Sequence, residues 1–222
     1  GGSVWVARGS YGEVRTSIED NVDTGSLVLR DGVDVFGGFS GGEVLLEERD
    51  HINNKTIIDG SASLSGERAI HVVVGANNAT LDGFVITGGD ANASVDYNSN
   101  LSKGGGMLNY QVSPLVRNCV FINNVAYVDG GAVANQYSES TFERCVFIEN
   151  QARFDGGAFY NRNGRVTISK CIFINNSAGS SGGAVENRDR SEATIVNCLF
   201  VNNRHLGGSE GGAGIDHDDS NG

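Results

Sequence analysis

The sequence predicts an all-β fold, a parallel β-helix in which successive coils stack into a solenoid. Three observations carry this expectation. A hexapeptide recurs as GGGMLN at Gly104, GGAVAN at Gly130, GGAFYN at Gly156 and GGAVEN at Gly182. Each copy leads into a cysteine, and Cys119, Cys145, Cys171 and Cys198 are spaced by 26, 26 and 27 residues. The segments between glycines are short and rich in β-branched residues, which suits strands and leaves no room for runs of helical period. A fixed period of this size marks a repeat architecture whose units bury their apolar faces on one another. At about 26 residues per regular coil the chain makes roughly eight coils.

In chain order, strands are expected at 4–7, 27–29, 33–36, 56–58, 70–74 and 81–87, each bounded by Gly, Asn or Asp. These read as irregular early coils within 1–103. Residues 90–103, nearly devoid of apolar side chains, are expected to form a loop projecting laterally from the column. The regular repeats occupy 104–216 and a short tail 217–222, all within one domain, 1–222. Each repeat is expected to supply two or three strands. The chain opens directly in strand-like Val4-Trp5-Val6. It is therefore expected to be a piece of a longer protein, with its ends covered by further chain or by neighbouring copies in a head-to-tail filament.

Stacking in register turns each repeat position into a ladder of like side chains about 4.8 Å apart. Cys119, Cys145, Cys171 and Cys198 form one ladder, read as buried thiols, and Phe121, Phe147, Phe173 and Phe200 form a second that fills the interior. Two asparagine ladders, Asn124, Asn150, Asn176, Asn203 and Asn109, Asn135, Asn161, Asn187, are expected to brace turns through side-chain amides. Paired glycines allow the corners. If Cys and Phe point inward, strand alternation turns Val120, Val146, Ile172, Leu199 and Ile122, Ile148, Ile174, Val201 outward. That apolar strip is the candidate contact surface.

Composition narrows the partners. A formal charge of -11 without a Lys/Arg cluster excludes nucleic acid and anionic membranes, which need clustered basic residues. No apolar run approaches the roughly 20 residues of a membrane span. Five sequons, at Asn54, Asn78, Asn92, Asn100 and Asn175, permit glycosylation in a secretory route.

The repeats FINN, FIEN, FINN and FVNN, beginning at the four ladder phenylalanines, occur with GGAV, GGAF and GGAV. Together they resemble the paired repeats of chlamydial polymorphic outer-membrane proteins and related bacterial surface β-helices. The early DVFGGFSGGE (Asp34 to Glu43), ERDHINNKTIIDG (Glu48 to Gly60) and LDGFVITGGDA (Leu81 to Ala91) are similar to the first coils of secreted right-handed β-helix proteins. The resemblance implies a right-handed parallel β-helix at the cell surface or outside the cell. It also implies an adhesin segment, with a host or cell-surface receptor or glycan as partner; the uncovered ends add the expectation of a fibre subunit whose partners are other copies of itself or further domains.

No catalytic residue, metal site or cofactor is assigned from the sequence. Asp129 and Asp155 occupy equivalent turns, and Arg144 and Lys170 another pair. The other copies carry Ser181 and Asn118 or Asn197 there, a pattern read as solvated corners. His51, His71, His205 and His217 are scattered. Asp216, Asp218, Asp219 and Asn221 fall short of a complete Ca²⁺ loop and are read as a frayed tail. The expected function is non-enzymatic, structural or adhesive. The alternative is a carbohydrate-active β-helix enzyme, whose mark would be an acidic cluster beside Arg or Lys in a groove.

Overall fold

A computed structural model describes residues 2–12, 26–61, 67–207 and 211–218. Among them every strand pairing is parallel, joining strands of successive coils. Three sheets have seven strands and a fourth has five, so the solenoid has seven coils rather than eight. The early coils are longer than the regular ones: Val35 pairs with Leu81 and Leu81 with Val116, whereas Val116 reaches Phe142 in one regular step.

A regular coil holds four strands, not two or three. In one coil these are Val133–Gln136, Glu139–Glu143, Val146–Ile148 and Gln151–Ala152, which lie in the first, second, third and fourth sheets respectively. Left-handed corners separate them, and these are columns too. Gln111, Tyr137, Asn163 and Asp189 follow the first sheet, Asn118, Arg144, Lys170 and Asn197 the second, and Asn123, Glu149, Asn175 and Asn202 the third, all with φ between 50° and 58°. Gly83 (φ 85°) takes the second corner one coil earlier. It therefore splits the expected strand 81–87 into Thr80–Asp82 and Phe84–Thr87. The expected strand 70–74 shortens to Val73–Val74.

The paired glycines divide two tasks. The first of each pair adopts positive φ, as at Gly130 and Gly156 (67° and 64°). The second is excluded from bearing a side chain by close backbone: a Cβ on Gly131 would lie 2.4 Å from the Gly157 carbonyl oxygen.

Between the sheets the ladders pack. Phe121, Phe147, Phe173 and Phe200 stack with centroid separations of 5.1, 4.6 and 4.8 Å and near-parallel planes. Asn124 Nδ2 donates to Asn150 Oδ1 (3.1 Å), Asn150 to Asn176 (3.0 Å) and Asn176 to Asn203 (2.9 Å). The second ladder runs from Asn135 to Asn161 (2.8 Å) and on to Asn187 (3.3 Å), whereas Asn109 Nδ2 turns to Ser140 Oγ instead. The four cysteines are free thiols, and burial pushes Cys119 up to about 12, so it behaves as a small apolar side chain.

The early coils are clamped by a buried charge cluster. Asp82 receives Arg49 Nη2 (2.7 Å), Arg117 Nε (2.6 Å) and Asn118 Nδ2 (2.8 Å). Arg49 also donates to the Gly37 carbonyl, which ties the 46–55 connection to the second sheet.

Two further expectations change. Residues 92–103 do not project: Tyr97 packs on Phe154 (4.8 Å), Gln136 Nε2 donates to Asn100 Oδ1 (3.0 Å), and Lys103 is buried. Asp90–Ala91 before them is a strand of the fourth sheet. Asp216 and Asp218 are not in a frayed tail. They belong to the strand Ile215–Asp218, paired with Val185–Arg188, because the Gly211-Gly212 corner starts another coil. Asp219 and Asn221 lie outside the described residues.

Candidate functional site

The first sheet consists of Val133–Gln136 and its equivalents Phe159–Arg162, Val185–Arg188 and Ile215–Asp218, with Met107–Tyr110 one coil before. Alternation sends Val133, Phe159 and Val185 into the core and turns the next residue of each strand outward. Register aligns Ala134, Tyr160, Glu186 and Asp216 in one outward column and Gln136, Arg162, Arg188 and Asp218 in another.

This outer face is not open. The glycine corner folds back over its own strand, so closely that a Cβ on Gly182 would stand 2.8 Å from the Glu186 Cβ. On one side lies the column Asp129, Asp155, Ser181, and on top of it Tyr97 and Asn98 from the 92–103 segment. Together they enclose a groove of about 460 Å³. Glu186 is 1% exposed and Tyr160 2%.

The groove gathers charge, burying Glu186, Asp129 and Asp155 while Arg162 and Arg188 stay partly exposed. Burial, reinforced by Asp155 and Asp216, raises the Glu186 carboxyl to about 8, so it is protonated at neutral pH. Its Oε2 has no hydrogen-bond partner among the described residues. Burial and then Asp155 raise Asp129 to about 7. Burial raises Asp155 as well, opposed by Arg188, whose Nη1 is 2.5 Å from its Oδ2. Arg162 Nε pairs with Asp189 Oδ2 at 2.5 Å. Lys103 Nζ donates to the Tyr97 carbonyl and stands 4.0 Å from Asp129, and burial lowers its pKa. All three cations are thus turned toward protein acceptors. The arrangement is a protonated carboxylic acid with one unpartnered oxygen beside an ion-paired carboxylate, the pairing that lets one site supply both acid and base. Among the described residues no group of three or more His, Cys, Asp or Glu side chains is arranged to hold a metal ion.

The family model for the right-handed β-helix region matches residues 21–200. The chain belongs to the right-handed β-helix family. No curated protein and no solved structure matches it. Membership of this family determines the fold and leaves the activity to the site.

Against this β-helix the sequence-based sites fall as follows. Cys119, Cys145 and Cys171 are buried and Cys198 is partly so. Val120, Val146, Ile172, Ile122, Ile148, Ile174 and Val201 are half-exposed on the third sheet, and Leu199 is exposed. Of the sequons, Asn78, Asn92 and Asn175 are exposed, Asn54 and Asn100 half-buried. Asp129 and Asp155 are not solvated corners, since both are 5% exposed. The overlying 92–103 segment and the folded-back corner cover them, and no internal repeat records that. Glu186, Tyr160 and Arg188 carried no expectation. Their signal lay inside the repeat, where the residue before the ladder Asn changes from Leu108 and Ala134 to Tyr160 and Glu186.

Proposed function

We propose that this β-helix is a glycoside hydrolase acting on a neutral glycan in the first-sheet groove. The observation that carries the reading is Glu186, a buried, protonated carboxyl with an unpartnered oxygen facing a polar groove. In the reaction it supports, Glu186 gives its proton to the glycosidic oxygen as the bond from that oxygen to the anomeric carbon breaks. Water supplies the new hydroxyl on the anomeric carbon, and its proton passes to an ionised carboxylate, for which the Arg188-paired Asp155 is the best candidate. An eliminating lyase fits less well. It needs a free cation to neutralise a uronate and a base to take the adjacent proton, whereas Arg162 and Arg188 are committed to Asp189 and Asp155. The test is incubation with xylan, arabinan, laminarin and dextran beside polygalacturonate and alginate. New reducing ends from a neutral polymer are expected. Unsaturated products absorbing in the ultraviolet from an acidic polymer would replace the hydrolase with a lyase, and no cleavage of any polymer would sink both.

A second reading, a structural or adhesive protein outside the cell, draws on the half-exposed Val/Ile columns of the third sheet. It predicts that Ile148→Lys with Ile174→Lys abolishes self-association measured by sedimentation while the far-ultraviolet circular dichroism keeps its strand signal. Sedimentation identical to the wild type would remove this reading.

A further inference from the structure

We propose that Tyr97 and Phe154 form an aromatic clamp at the mouth of the Glu186 groove, holding one pyranose ring of the substrate and selecting flat, equatorially substituted sugars over furanoses. The proposal rests on the hydrolase reading above and names the substrate class of that site.

Both side chains line the groove that holds Glu186 and Asp155, and Phe154 directly precedes Asp155 in the chain. Tyr97 comes from an insertion. Residues 92–103 connect the fourth-sheet strand Asp90–Ala91 to the corner at Gly104, a connection that 127–129 and 153–155 make alone in the next two coils. Insertions in a solenoid gather on one face, which is often the binding face. This one reaches across the coil of Asp129 and sets the Tyr97 ring against Phe154, with centroids 4.8 Å apart and planes tilted by 54°.

The fold grips the backbone around Tyr97 and leaves its side chain open. Lys103 Nζ donates to the Tyr97 carbonyl and stands 3.4 Å from that of Ser99, while Ser102 Oγ donates to the carbonyls of Asp96 (3.0 Å) and Ser99 (2.8 Å). Burying the Lys103 ammonium is unfavourable, and the hydrogen bonds that offset it go to the segment presenting Tyr97. Tyr97 itself stays 55% exposed, so packing on Phe154 uses only part of its surface. Phe154 is no ladder residue either. Backbone hydrogen bonds align it with Val128 before and Ser180 after, so this ring occurs once, beside Asp155. The chemistry suits a pyranose. When its hydroxyls are equatorial, its C–H groups make a weakly positive apolar face that complements the negative face of an aromatic ring. Asn98, Ser180 and Ser181 line the same groove and offer hydrogen bonds to the hydroxyls at the ring edge. Xylan, laminarin and dextran carry such rings, whereas the puckered furanoses of arabinan do not.

The test is calorimetric titration of xylohexaose, laminarihexaose, isomaltohexaose and arabinohexaose into the full chain carrying Glu186→Gln, which keeps the sugar uncut. Tyr97→Leu retains apolar contact with Phe154 but loses the ring, and Tyr97→Phe retains the ring. At least one pyranosyl hexaose is expected to bind, arabinohexaose about tenfold more weakly or not at all. Tyr97→Leu is expected to raise Kd about tenfold, the loss of one good ring contact, and Tyr97→Phe to leave it within about twofold. With Glu186 restored, Tyr97→Leu is expected to raise KM and leave kcat unchanged, because the clamp holds ground state and transition state alike. A Kd unchanged in Tyr97→Leu, or raised equally in Tyr97→Phe, overturns the clamp. Arabinohexaose bound as tightly as the best pyranosyl hexaose overturns the selection, and no binding of any hexaose overturns both. Ring-dependent binding without cleavage by the wild type upholds the clamp and removes the hydrolase. Cleavage with an unaltered KM in Tyr97→Leu does the reverse.

Discussion

Glu186→Gln lowers glycan hydrolysis by about 100-fold or more and makes the fold more stable at alkaline pH. The first effect follows from general acid catalysis, whose removal costs on the order of 10² to 10⁴ in rate. An amide keeps the shape of the side chain and has no proton to give. The second follows from linkage. The Glu186 carboxyl is raised from 4.5 to about 8 in the folded state, so between those values the folded protein holds a proton that the unfolded chain releases. Stability therefore falls as pH rises from 4.5, and the loss is complete above about 8. Asp129, raised from 3.8 to about 7, acts in the same direction and remains in the variant. Melting curves across this window are expected to diverge, with the Tm gain of Glu186→Gln growing toward pH 8. Parallel curves would show that the carboxyl titrates as an ordinary exposed group. Wild-type activity is expected to decline as pH passes about 8, where the acid is lost.

Asp82→Ala is expected to cost about 3 to 5 kcal/mol, because it leaves Arg49 and Arg117 without their buried counter-ion. Alanine also removes the acceptor of Asn118, the left-handed corner residue beside Cys119. In a chain of this length that loss lowers Tm by roughly 10 °C, readable by calorimetry. A change of no more than about a degree would mean that the cluster contributes nothing beyond its own desolvation cost. Burial alone would raise the Asp82 carboxyl, but hydrogen bonds from Arg49, Asn118 and Arg117 outweigh it and hold the group below 3.8. Its contribution is thus fully present above pH 3.8 and is lost as pH falls through the depressed folded value. Asp82 thus acts on the acid limb of the stability profile, and Glu186 and Asp129 act in the opposite sense as pH rises.

The coil was legible in the sequence because stacking repeats one local environment many times. The Phe ladder at 4.6 to 5.1 Å and the Asn124 ladder set the same residue in four successive coils. What the repeat could not convey is anything made once. Gly83 takes the corner held by Asn118, Arg144, Lys170 and Asn197 in later coils, so the strand break there had no local marker other than one glycine. Asp82 is an ordinary acidic residue until Arg49 arrives from a distant connection.

The groove shows the same division at higher stakes. Asp129 and Asp155 were visible as a column, and their replacement by Ser181 suggested solvent. Their environment is set in part by Tyr97 and Lys103, which come from a segment about one coil or more earlier in the chain.

The sequence by itself determined the parallel β-helix, its regular step, and the inward and outward parity of each strand, because these follow from local periodicity and repeat identity. The tertiary structure decided the number of coils, the clamp on Asp82 and the protonation of Glu186. Those depend on which distant segments exclude water from a charged group, and desolvation is a property of assembled neighbours rather than of any residue in the chain.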